Sequence, residues 1–93
     1  MLELVQIKNI SGSYTLSTVF VNPSHIVHLS EHTEYSNALR EGKMNLDLNP
    51  ITTFTKLVVN EGDRSNHFIV IGDPSLIESK LNKSFSKRKI LRG

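Results

Sequence analysis

Two apolar, β-branched stretches, residues 53–59 and 67–71, flank seven consecutive polar residues, 60–66, with Gly62 among them. Val, Ile, Thr and Phe at this density suit a pleated, half-buried surface better than a helix, where the preceding turn restricts their χ1. A polar run with glycine between two such stretches predicts a β-hairpin, here with a longer loop. Any fold for this chain has to be built around that hairpin.

The first 31 residues extend the same pattern. Residues 2–8 place Val5 and Ile7 on one face of a strand and Leu4 on the other. Ser11-Gly12-Ser13 is a turn by composition, and residues 16–21 form the next strand. Asn22-Pro23 interrupts it, because proline has no N–H to give a ladder. Residues 25–31 resume, with Val27 and Leu29 on one face and Ile26 and His28 on the other. Phe20 and Phe68, within strong strands, are expected in the core.

Residues 33–50 are ambiguous. Tyr35, Ala38 and Leu39 fall at helical spacing, Thr33 can cap the start and Gly42 sits at a C-cap position. Residues 43–48 then alternate, with Met44, Leu46 and Leu48 against Lys43, Asn45 and Asp47, which predicts a half-buried strand ended by Asn49-Pro50. One long mobile loop is the alternative. After the hairpin, Gly72 ends the strand and Asp73-Pro74 starts a helix, since Asp accepts from free amides and proline suits the first helical position. Ile77, Leu81 and Phe85 give that helix one apolar stripe; it stops near Asn82 or runs on.

The expected fold class is therefore mainly β: a strongly bent antiparallel sheet or small barrel of five to six strands with a short C-terminal helix. Residues 1–82 form the domain and 83–93 a basic tail. At 93 residues the chain buries only about 60–65% of its unfolded surface, and there is no cysteine to staple it. Many domains of this size gain what is missing by pairing with copies of themselves, and a homo-oligomer is expected. No apolar run approaches the ~20 residues of a membrane span, and the N-terminus has no basic-then-apolar leader, so a cytoplasmic protein without a membrane partner is expected.

Charge is divided along the chain. Residues 1–79 hold five Lys/Arg against nine Asp/Glu, a balance of −4, whereas residues 80–93 hold six cations and no acid; together they give the net +2. Those six are Lys80, Lys83, Lys87, Arg88, Lys89 and Arg92. Such a cluster neutralises phosphates and releases their counterions, giving affinity without sequence preference. A solvated tail, or a basic face over Leu81, Phe85 and Leu91 on an anionic surface, are the other readings. Arg64 in the polar hairpin loop is a further phosphate candidate, and Tyr35 is a candidate for stacking on a base or for fastening its own segment.

Catalytic chemistry has little to work with. There is no thiol nucleophile, glycine-rich phosphate loop or Gly-x-Ser-x-Gly elbow, and acid pairs such as Glu31 with Glu34 lie in solvated segments. His25 and His28, three apart on a strand, point to opposite faces and do not share an ion. No enzyme activity, cofactor or metal is expected.

The segment Phe20-Val21-Asn22-Pro23-Ser24-His25-Ile26, followed by a hairpin and a short helix, resembles the small flagellar FlbD-like proteins. Phe68-Ile69-Val70-Ile71-Gly72-Asp73 resembles the end of the second Sm motif, and the layout is similar to small Sm-like proteins of phage origin. Ile71 stands where that family has its RNA-binding arginine, and Asp47-Leu48-Asn49 has the residue types of the first Sm motif at another spacing. The resemblance implies a homo-oligomeric ring binding RNA or single-stranded DNA, with Gly72 and Asp73 as structural positions. A phage structural or assembly module that binds only protein is the alternative.

Overall fold

The computed structural model describes the backbone of residues 1–92 and the side chains of residues 1–83. Five antiparallel strands form one open sheet: β1 (Leu2–Ile10), β2 (Ser13–Val21), β3 (Ile26–Glu31), β4 (Phe54–Glu61) and β5 (Arg64–Ile71), in the spatial order β2-β1-β5-β4-β3. Helices α1 (Thr33–Arg40) and α2 (Pro74–Arg92) and one 3-10 turn (Pro23–His25) complete it. The mainly β class with a C-terminal helix is thus observed. The helix is longer than expected, at 19 residues, and runs on through the basic segment.

Both hairpins are tight. β1 and β2 stay in register from Leu2 opposite Val21 to Ile10 opposite Ser13, leaving only Ser11 and Gly12 as the turn. Both turn residues have positive φ, 54° and 86°, the handedness that matches the twist of the flanking strands. Asn9 Oδ1 accepts from Gly12 N at 2.9 Å. The long loop expected over residues 60–66 is absent. Asn60 lies opposite Ser65 and Glu61 opposite Arg64, so Gly62 and Asp63 alone make the turn. The run is polar because the paired tip extends past the core into water. Cross-strand bonds from Ser65 Oγ to Asn60 Oδ1 (3.1 Å) and Asn66 Nδ2 to Glu61 Oε2 (3.3 Å) join it.

The connection between β2 and β3 forces the sheet to bend. These are the two edge strands, about 19 Å apart if the sheet were flat, at four spacings of about 4.8 Å. Five peptide steps from Val21 to Ile26 reach at most about 17 Å, and here they include a compact turn. In that turn Asn22 Oδ1 accepts from Ser24 N at 3.0 Å and Asn22 O from His25 N at 3.0 Å, with Pro23 buried. At this corner an open recess of about 460 Å³ lies between Val21, Asn22 and His25 on one side and Val59, Gly62 and Phe68 on the other.

Two cores follow from the two faces of the bent sheet. On the inner face Leu4, Val21, Leu57, Val59 and Val70 enclose Ile77 of α2. On the outer face Ile7 and Phe54 pack with Leu39 of α1 and with Met44, flanked by Tyr14, Tyr35, Ile69 and Ile71. Helix α1 ends as its sequence suggests: Gly42 N donates to Leu39 O (3.2 Å) and Lys43 N to Ala38 O (2.9 Å), satisfying two of the carbonyls of its last turn. At its start His32, not Thr33, is the cap, and without a side-chain bond.

Two expectations fail on the outer face. Residues 43–48 form no strand, although Met44 is buried and Leu46 and Leu48 are half-buried, with Lys43, Asn45 and Asp47 exposed. Their alternation records which side faces the core, not a hydrogen-bonded ladder. Phe20 is 59% exposed and so not core, because the outer-face cover does not reach its end of β2.

Candidate nucleic-acid interface

Helix α2 owes its position to Gly72, Asp73 and Ile77. Gly72, with φ of +116°, turns the chain out of β5, and its N–H donates to Thr53 O at 2.9 Å. Its carbonyl accepts from Thr55 Oγ1 at 2.7 Å, which satisfies a hydroxyl buried at the sheet's centre. Asp73 Oδ1 then accepts from Leu76 N at 2.9 Å, capping the helix three residues on, with Pro74 in the first helical position. Ile77 is fully buried against the inner face. Three successive links thus aim α2: turn, cap and anchor.

Lys80 and Lys83 project from this anchored helix and are exposed. Among the described residues neither has an acidic partner, the one ion pair being Lys43 with Glu41 at 2.9 Å. The side chains of Lys87, Arg88, Lys89 and Arg92 lie outside the described residues. Along the sequence Lys80, Lys83 and Lys87 stand three and four apart, the spacing that keeps positions on one side of a helix.

The other two candidates sit elsewhere. Arg64 is exposed at the tip of the β4–β5 hairpin, next to Asp63 and opposite Glu61, so its charge is offset locally. Tyr35 is on α1, over the outer face, with the sheet between it and α2. Its ring makes edge contacts with His32 (centroids 4.5 Å, 83°), Tyr14 (5.3 Å, 89°) and Phe54 (6.1 Å, 87°). Those contacts fasten α1 to the sheet, and a stacking base would have to displace one of them.

Burial raises the Tyr35 phenol above its ordinary 10.0, and the nearby Tyr14 and Glu34 charges add to the rise. A phenol whose folded value exceeds the unfolded one stabilises fully below about pH 10 and loses that contribution as pH rises through the folded value. Thermal melts between pH 8 and 11 should therefore fall less steeply for Tyr35→Phe than for the parent chain. Equal slopes would show that Tyr35 ionisation is not coupled to folding.

His25 lies in the 3-10 turn, His28 on β3 and His32 before α1. Among the described residues no three His, Asp or Glu come together as metal ligands, and no helix is long and apolar enough to cross a membrane.

Sequence reasoning missed the free edge of β2. Asn45 reaches it from the segment after α1: Tyr14 N donates to Asn45 Oδ1 at 2.7 Å, and Asn45 Nδ2 donates to Tyr14 O at 3.2 Å. One side-chain amide thus satisfies both backbone groups of an edge residue 31 positions away. Nothing local in the sequence marks that pairing. No family model matches the chain, and no curated protein or solved structure matches it either.

Proposed function

We propose that this chain is a non-catalytic nucleic-acid-binding module that works as a homo-oligomer, with α2 laid against the phosphates of RNA or single-stranded DNA. The observation that carries this reading is the exposure of Lys80 and Lys83 on a helix whose backbone continues to Arg92, in a chain whose acids all precede residue 80. An acidic body repels phosphate while the cationic helix attracts it, so one surface of the chain is selected for contact. Contacts of this kind position a strand without reading its bases. An oligomer presents several such helices to one strand, which raises avidity without new contacts.

The test is the salt dependence of binding to mixed-sequence single strands. Each phosphate contact contributes about 0.7 to the slope of log affinity against log salt. Replacing Lys80 and Lys83 with Ser should lower that slope by about 1.4 and weaken all sequences alike. Arg64→Ser, at the acid-flanked tip, should change it less. Absence of binding even at low salt would sink the proposal in favour of an assembly module that binds only protein, a reading supported by the open edge of β2.

A further inference from the structure

We infer that two copies of this chain pair through their β2 strands, antiparallel and two-fold, centred on Thr18. The orientation of the backbone follows from the hairpin. With a two-residue turn, Ile10 and Ser13 form a mutually hydrogen-bonded pair, and such pairs alternate along the ladder. Tyr14, Leu16, Thr18 and Phe20 therefore point their N–H and C=O groups away from β1. The bonds from Asn45 to both backbone groups of Tyr14 show that direction independently.

Asn45 closes this edge at Tyr14, and Asn22-Pro23 ends it beyond Val21. Among the described residues, what remains open is residues 16–20, a window symmetric about Thr18. Within it no residue is charged, none is Gly or Pro, and the β1–β2 register has no bulge. Natural edges are normally guarded by those devices. The opposite edge, β3, has them: six residues, an irregularity between Ile26 and His28, and a terminal Glu31.

A second copy is the occupant that this window fits. Antiparallel pairing about Thr18 sets Leu16 opposite Phe20 of the other copy, and does so twice. Every outward N–H and C=O in the window then finds a partner, about six hydrogen bonds in all. Leu16, Thr18 and Phe20 share the outer face with Val5. Leu16 (41% exposed), Phe20 (59%) and Val5 (41%) make an apolar strip beside the edge. Pairing brings the two strips together, and uncharged strands opposite each other incur no like-charge repulsion. Such a contact closes at two copies, so a ring needs a further contact through β3.

The inference concerns how copies meet and stands whether or not α2 binds nucleic acid. Light scattering of the full chain without nucleic acid should give twice the 10.5 kDa of one chain at tens of micromolar. Thr18→Pro removes an outward N–H at an edge, where proline is tolerated, and should yield a monomer. Leu16→Lys with Phe20→Lys, at exposed positions, should do the same, with a melting temperature that no longer rises with protein concentration. Thr18→Cys, the chain's only thiol, should oxidise to a linked dimer, since paired Cα atoms lie about 5.5 Å apart, within disulfide reach. Thr15→Cys should not, because the same symmetry separates its two copies by about 20 Å. A monomer at all concentrations, or a dimer that survives both edge variants, would overturn the pairing. So would equal cross-linking at residues 15 and 18.

Discussion

Phe54→Ala is expected to remove a large share of the stability of this domain. Phe54 is fully buried at the start of β4, in the outer-face core with Ile7, Leu39 and Met44, and its ring meets the edge of Tyr35. Truncating a buried phenylalanine costs about 3–5 kcal/mol, because the lost contacts add to the void left behind. Whole domains have only about 5–15 kcal/mol, and a 93-residue chain has a small core. The melting temperature should fall by more than about 12 °C, at roughly 4–8 °C per kcal/mol for a chain this size. Ile51→Ala, at a side chain 82% exposed, should change it little. Amide exchange in α1 should quicken in the Phe54 variant, since that helix is held to the sheet largely through this cluster. A melting temperature within a few degrees of the parent would mean that the outer core contributes little.

Gly72→Val should be the second large loss, by a different route. At φ of +116° a side chain is strained whatever space surrounds it, and a Cβ built there would lie 3.2 Å from Leu76 Cδ2 and 3.5 Å from Ile77 Cδ1. The backbone has no freedom to relax, since Gly72 N and O are both engaged, by Thr53 O and Thr55 Oγ1. Strain of this kind costs about 1–3 kcal/mol, and valine adds crowding against the helix it must launch. Gly12→Ala provides the comparison. Its φ of +86° is also left-handed, but nothing lies within 4 Å of the added carbon. Urea melts should show the larger loss for Gly72→Val; equal losses would leave only backbone strain and remove the close approach of α2.

Much of this fold can be read from alternation alone, because a strand with one buried side repeats every two residues. Leu4 against Ile7, and Phe54 against Leu57, are assigned to opposite faces by parity, and the two cores separate along that line. Parity also misled. Residues 43–48 alternate because one side rests on the outer core, yet their backbone joins no ladder. The polar run 60–66 mimicked a loop because a paired tip outside the core has no need of apolar residues. Spatial order was not legible at all: β1 lies beside β5, and no local signal links them. For the candidate interface, charge segregation was plain in the sequence. The direction of α2 was not, since it depends on a carbonyl of Gly72 reaching Thr55.

The β1–β5 contact also sets an order of events during synthesis. Each hairpin closes over a two-residue turn, whereas joining β1 to β5 brings residues 6 and 70 together across most of the chain. Loop-closure entropy rises with the length enclosed, so the hairpins are the cheaper structures to form and the junction between them the dearer. A ribosome releases β1, β2 and β3 long before Val70 exists. For that interval β1 has one neighbour instead of two, and the nascent hairpin shows water a second bare edge that the finished sheet hides.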